Sequence, residues 1–173
     1  MRLFVAVNFN DDTRTKLMIM RDELRSRSKK GSFSRPENMH LTLAFLGECN
    51  TSQTNSAKAA MDSIQFDPFY LKIDRTGRFR RDSGDIWWAG VRCSEAITKL
   101  HNDLRSALEK EGFETEKRKY DPHITLGRDV RTSEEQRSVT EFGEMINEIE
   151  LMCSERIDGM LTYTSIHKRK ASQ

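Results

Sequence analysis

At 173 residues and 20.1 kDa, the chain has the length of one ordinary domain, and 36% hydrophobic against 32% charged residues leaves enough apolar side chains for a core while excluding a disordered polar chain. Twenty-nine Lys and Arg against 27 Asp and Glu give a net charge of +2, too little to hold duplex DNA by bulk charge, so any anion site has to be local. Cys49, Cys93 and Cys153 are scattered and odd in number, which points to a reducing cytoplasm, and the charges from Asp11 to Lys16 interrupt any early apolar run of signal-peptide or membrane length.

Leu3 to Val7 reads as a strand, followed by a helix capped at Asp11 or Asp12 that carries Leu17, Met20 and Leu24 and runs through a basic Arg25 to Lys30 tail to Gly31. After Arg35-Pro36, Met39 to Leu46 forms a second strand closed by Gly47. A Thr51-capped helix with Ala57, Ala60, Met61 and Ile64 comes next. Phe69 to Ile73 and Ile86 to Val91 make a hairpin around an Arg-rich loop from Arg75 to Gly84. Ser94 caps the clearest helix, with Ile97, Leu100, Leu104, Ala107 and Leu108 on one face and Gly112 at its end. His123 to Val130 is a strand, Thr132 with Glu135 has the spacing of a helix capping box, and Phe142 to Asn147 fits either state. Ile149 to Cys153 and Leu161 to Ile166 are the final strands. Strands mixed with helices, and no Gly-rich phosphate loop, give an α+β or mixed α/β sandwich without a dinucleotide-binding signature.

One four-residue pattern occurs twice: His40-Leu41-Thr42-Leu43 and His123-Ile124-Thr125-Leu126. At uniform residue usage H-x-T-L arises roughly once in 8,000 starting positions, so two copies in this length need a cause. In a strand, residues i and i+2 share a face, so each copy presents an imidazole beside a hydroxyl. Two such strands converging on one cleft place two imidazoles around one ligand, one neutral to accept a proton and one charged to give it, with threonine hydroxyls to bind phosphate oxygens. That layout suits in-line displacement at a phosphodiester. A lone H-x-T is more often a pair of half-buried strand residues; duplication reverses that preference. Neither His-x-x-x-His nor a cysteine cluster is present, so no metal and no cofactor is expected.

The runs Arg35-Pro36-Glu37-Asn38-Met39-His40-Leu41-Thr42-Leu43-Ala44-Phe45-Leu46-Gly47 and Pro122-His123-Ile124-Thr125-Leu126-Gly127-Arg128 closely resemble the two signatures of the two-histidine (2H) phosphoesterases. Among these the chain looks most like the RNA 2′,3′-cyclic phosphodiesterases, also called 2′-5′ RNA ligases. The likeness extends through Arg2 to Val7, Trp87 to Val91 and Leu151 to Ser154. The resemblance implies an α+β bilobal fold spanning residues 1–173: two similar lobes of antiparallel sheet with outer helices, each lobe carrying one motif at a central cleft. It implies His40 as the general acid on the leaving ribose oxygen, His123 as the general base on water, and a 2′-phosphate as product. It also implies Thr42 and Thr125 as phosphate-binding residues and Arg128 as a substrate-binding cation. Simple alternation puts Arg128 on the strand face opposite His123, so that role requires a bulge. The expected partner is an RNA or nucleotide 2′,3′-cyclic phosphate, the expected state a monomer without membrane attachment, and reversal as a 2′-5′ ligase follows from the same likeness. A nucleotide-binding module of the same fold, or a phosphodiesterase for a small cyclic phosphate or a 2′-5′ oligonucleotide, are the competing functions.

Two further features lie outside the motifs. Arg75, Arg78, Arg80 and Arg81, with Lys117, Arg118 and Lys119, either draw in an RNA backbone or form a solvated surface. Phe45 and Trp88, borne on strands, are read as core side chains rather than base-stacking platforms, and His101 and His167 as structural or solvated.

Overall fold

Residues 1–173 are described by a computed structural model. The alternating apolar run at the start forms β1 (Arg2–Val7), which is buried on both faces: Leu3, Val5 and Val7 point into the main core, Phe4 and Ala6 into a small cluster with Met152. Helix α1 (Asp11–Ser26) is capped by Asn10, whose side chain accepts from the Thr13 N–H at 2.9 Å. Asp11 and Asp12 sit one step later, in the first turn, where their charge suits the helix dipole. The helix stops at Ser26, and the basic stretch expected to prolong it is instead strand β2 (Ser28–Phe33), a sheet edge with Lys29 and Lys30 turned to solvent.

A 3-10 turn at Pro36–Asn38 delivers the chain to β3 (Leu41–Glu48). Helix α2 (Thr51–Ser63) is capped by Asn50, not Thr51, in a reciprocal capping box with Gln53. Strand β4 (Phe69–Phe79) continues well into the stretch expected to be an Arg-rich loop before β5 (Asp85–Val91) pairs back on it. Gly77 marks a close approach there, not a turn: a Cβ at this position would lie 2.1 Å from the Trp88 ring. Helix α3 (Glu95–Lys110) is capped by the Ser94 hydroxyl and buries the expected stripe.

Strand β6 (His123–Thr132) carries the second motif. No helix follows Thr132; its hydroxyl donates to the Arg27 carbonyl at 2.8 Å and accepts from the Glu134 N–H at 3.2 Å, and the chain enters β7 (Ser138–Ile146). The stretch that fitted either state is therefore strand. Strands β8 (Glu148–Ile157) and β9 (Met160–Lys170) close the chain as a hairpin.

Two antiparallel sheets result, ordered β3-β1-β8-β9 and β2-β6-β5-β4-β7. Within them β3 pairs with β1 and β6 pairs with β5, so the two motif strands belong to different sheets. Helix α1, which follows β1 of the first sheet, packs on β2, β6 and β7 of the second, while α3, which follows β5 of the second, touches β3 of the first as well as β4 of its own. One main core draws buried residues from both sheets. This is the α+β architecture expected, with both motif strands turned to a shared cleft.

Candidate active site

His40 immediately precedes β3, and its Nδ1 lies 2.7 Å from the Asn38 carbonyl. A carbonyl only accepts, so Nδ1 carries hydrogen and Nε2 is the nitrogen left able to accept or release a proton, 2.9 Å from the Thr42 hydroxyl. His123 opens β6 in the same way, its Nδ1–H donating to the Asp121 carbonyl at 2.7 Å. The ring is thus fixed twice by one local rule, a bond to the carbonyl two residues back. Each imidazole is also walled by two aromatic rings. Phe4 and Tyr163 lie 4.8 and 5.2 Å from His40 between ring centroids. Phe79 and Trp88 lie 5.0 and 5.9 Å from His123.

His40, His123, Thr42, Thr125 and Arg128 all line one cleft of about 860 Å³ between the two sheets. Arg128 reaches it because β6 bulges: Trp88 pairs with Thr125 and Trp87 with Gly127, so Leu126 is an extra residue and the alternation resets. The strand's burial pattern shows the same reset, with both Leu126 and Gly127 buried and Arg128 exposed. Arg128 makes no hydrogen bond or ion pair to another protein group, which leaves its guanidinium free for an anion.

Burial holds the His40 pKa below the ordinary imidazole value; the Asn38 carbonyl bond opposes this, while Arg128 and His123 push the same way as burial by charge repulsion. His40 therefore favours the neutral form at neutral pH, and an anion bound beside it favours its protonation. Burial also raises the Tyr163 phenol, against the nearby Arg128 and Arg2.

The sequence missed the cations that matter most here. Arg2, Arg35 and Arg156 join Arg128 along the cleft, against Glu48 and Glu155, and give it a local positive excess that the net charge conceals. Of the expected basic clusters none lines it. Arg75 is held by Asp74 at 3.0 Å, Arg78 lies over Trp87, Arg81 lies over Phe79, and Arg118 pairs with Glu116. Phe45 also departs from expectation: it is 54% exposed on the cleft wall, with the Arg2 guanidinium over its ring at 5.1 Å, whereas Trp88 is buried as expected. Alternation along β3 could not have shown this: it puts Phe45 on the core face with Leu41 and Leu43, and only the register shift against β1 between Thr42 and Ala44 turns it outward. His101 and His167 lie outside the cleft, His101 stacked on Tyr120 and His167 bonded to Asp62. Nowhere do three or more His, Cys, Asp or Glu side chains gather as a metal-binding group.

An antiparallel two-sheet fold with paired H-x-T motifs across a basic cleft defines a class of phosphoesterase. The sequence matches the 2′-5′ RNA ligase superfamily over residues 14–156, and the chain belongs to that family. It is 33% identical over 152 residues to the RNA 2′,3′-cyclic phosphodiesterase of Archaeoglobus fulgidus, covering 84% of this chain and 85% of that one. To the protein of the same name from Escherichia coli it is 31% identical over 130 residues, 75% and 72% of the two chains. The solved structure of E. coli LigT complexed with 3′-AMP superposes with a TM-score of 0.85 at 25% identity, covering 99% of this chain and 98% of that one.

Proposed function

We propose that this protein is an RNA 2′,3′-cyclic phosphodiesterase that opens the cyclic phosphate to a 2′-phosphomonoester by acid-base catalysis between His40 and His123, without a metal ion. The observation that carries this is the twice-repeated fixing of Nδ1 by a backbone carbonyl, which leaves two Nε2 atoms for one phosphate in a cleft with an uncommitted arginine. His123 accepts a proton from water as its oxygen attacks phosphorus. The bond from phosphorus to the ribose 3′ oxygen breaks, and His40 protonates that oxygen as it leaves. Arg128 holds the non-bridging oxygens, and the Thr42 and Thr125 hydroxyls donate to them. Because burial favours the neutral form of His40, the substrate's own negative charge recruits the proton that the acid later delivers. With a 5′-hydroxyl in place of water, the same displacement forms a 2′-5′ linkage.

An RNA end, rather than a small cyclic phosphate, is favoured by the exposed Phe45 ring and by the four cleft arginines, which extend the site beyond one phosphate. The cleft is complete within one chain, so the protein acts as a monomer, and three unpaired thiols fit the cytoplasm. No helix is long and apolar enough to cross a membrane. The test is turnover of an oligonucleotide ending in a 2′,3′-cyclic phosphate in excess EDTA, with the product's phosphate position read by 31P NMR. Undiminished formation of the 2′-phosphate is expected. Activity lost to the chelator and restored by added metal would overturn the two-histidine mechanism, and a 3′-phosphate product would overturn the assigned leaving oxygen.

A further inference from the structure

The two motifs are linked by a side chain that belongs to neither. Tyr120 lies in the segment between α3 and β6, and its hydroxyl donates to the Thr42 main-chain carbonyl at 2.9 Å, across from the second motif to the first. Strand β3 is the edge of its sheet, with β1 as its only strand neighbour, which leaves carbonyls on its free side open to a donor from the other lobe. The next residue along, Asp121, supplies the carbonyl that fixes His123, and the carbonyl of Pro122 accepts from the Val91 N–H at 3.1 Å. A continuous path therefore joins the two imidazoles: His40 Nε2 to the Thr42 hydroxyl, the Thr42 carbonyl to the Tyr120 hydroxyl, and one residue of backbone to the Asp121 carbonyl that orients His123.

The pseudo-symmetry of the fold gives this contact a counterpart of different chemistry. Ser34, just before the first motif, donates its hydroxyl to the Thr125 carbonyl at 2.9 Å, whereas the position three residues before His40, which matches Tyr120, is Glu37, exposed and paired with Arg35. The ring and the hydroxyl of Tyr120 also do separate jobs. The ring stacks on His101 of α3, with centroids 3.9 Å apart and planes 6° from parallel. Burial raises the phenol far above its ordinary pKa, with Cys93 and Asp121 acting the same way, so the hydroxyl stays a donor at any working pH.

We infer that Tyr120 is a positioning residue that sets the spacing between the acid and the base by tying the approach to His123 onto the strand that carries Thr42 and His40. The inference rests on the phosphodiesterase function proposed above. In-line displacement requires both Nε2 atoms to reach one phosphorus centre at once, and small misplacement of a proton donor costs more rate than it costs binding. The tether supplies that constraint from the second motif to the first, alongside the Ser34 bond that runs the other way.

The test is Tyr120→Phe, which keeps the ring and its stack on His101 and removes only the hydroxyl. On a 2′,3′-cyclic nucleotide, whose leaving alkoxide needs the His40 proton, kcat should fall about ten-fold with KM changed less than about two-fold. On an aryl phosphodiester, whose phenolate leaves unprotonated, the fall should be less than about two-fold, and the melting temperature should stay within a few degrees of wild type. A merely structural role lowers both substrates alike. Equal losses on the two substrates, an unchanged kcat on the cyclic nucleotide, or a variant that does not fold would each overturn the inference. Wild-type protein inert on both substrates would instead count against the function on which it rests.

Discussion

Binding of an oxyanion in the cleft should pull the His40 pKa upward, and a bound on the change follows from the site. In the free protein burial, with Arg128 and His123 behind it, holds His40 below the ordinary value of 6.5. A single negative charge at hydrogen-bonded distance, about 4 Å, contributes about 4 kcal/mol at an effective dielectric constant near 20, an upper bound of about 3 on the pH scale. Arg128 shares that charge, so the rise falls short of that bound and keeps its sign. Two-dimensional NMR of the imidazole ring signals, with and without sulfate, measures it directly. Linkage then requires sulfate to bind protonated His40 more tightly than the neutral form, by about ten-fold if the rise is about 1. Stability carries the same sign. A folded value below the unfolded one withdraws stability as pH falls from 6.5 toward the folded value, and sulfate should offset that loss. Arg128→Ala should raise the free-protein value, because a repelling cation is gone, while weakening sulfate binding. A His40 that titrates at or above 6.5 in the free protein, or one that sulfate leaves unmoved, would refute the electrostatic account of the site.

Replacing either His40 or His123 by alanine should cost about 10²-fold to 10⁴-fold in kcat/KM on the cyclic nucleotide, and the double variant should lose little more, because both rings serve one step. On the aryl phosphodiester His40→Ala should recover much of its rate and His123→Ala should not; the opposite pattern in steady-state assays would exchange their roles. Gly77→Ala should destabilise by about 1 to 3 kcal/mol in urea unfolding, since the new Cβ meets the Trp88 ring at 2.1 Å, and should lower kcat because Trp88 is one of the two rings beside His123. Phe45→Ala should leave stability within about 0.5 kcal/mol and raise KM for an oligonucleotide more than for a cyclic mononucleotide; equal KM values would remove Phe45 from substrate contact.

The chemistry was legible in the sequence because it is local. His and Thr two apart on a strand share a face wherever that strand is placed, so the duplicated motif stands out without any knowledge of topology. Helix α3 was legible for the same reason, its buried stripe and Ser94 cap lying within one stretch. The Arg128 bulge was legible only as a condition: alternation showed that it was needed, and pairing with β5 supplied it. Strand β2 was hidden because its residues, SKKGSF, carry no alternation and owe their conformation to β6, a partner far along the chain. Thr132 and Glu135 have capping spacing, yet the hydroxyl is spent on Arg27, which no local pattern encodes. Arg2, Arg35 and Arg156 stand far apart in sequence; the first and last come together only when β1 and β8 pair, and Arg35 joins them from the turn before β3.

The first sheet is assembled from opposite ends of the order of synthesis. Strand β1 lies between β3 and β8, pairing Leu3 with Gly47 on one side and with Cys153 on the other. During translation it can acquire the first neighbour early, but the second emerges only after the entire five-stranded sheet has been made. Until then Phe4 and Ala6 lack the cover of Met152, and Tyr163 has not arrived beside His40. Both motif histidines thus exist in the nascent chain well before either the wall or the arginine of β8 does. The setting of His40 is therefore completed late in the order of synthesis, by the closure of the longest-range strand pairing in the molecule.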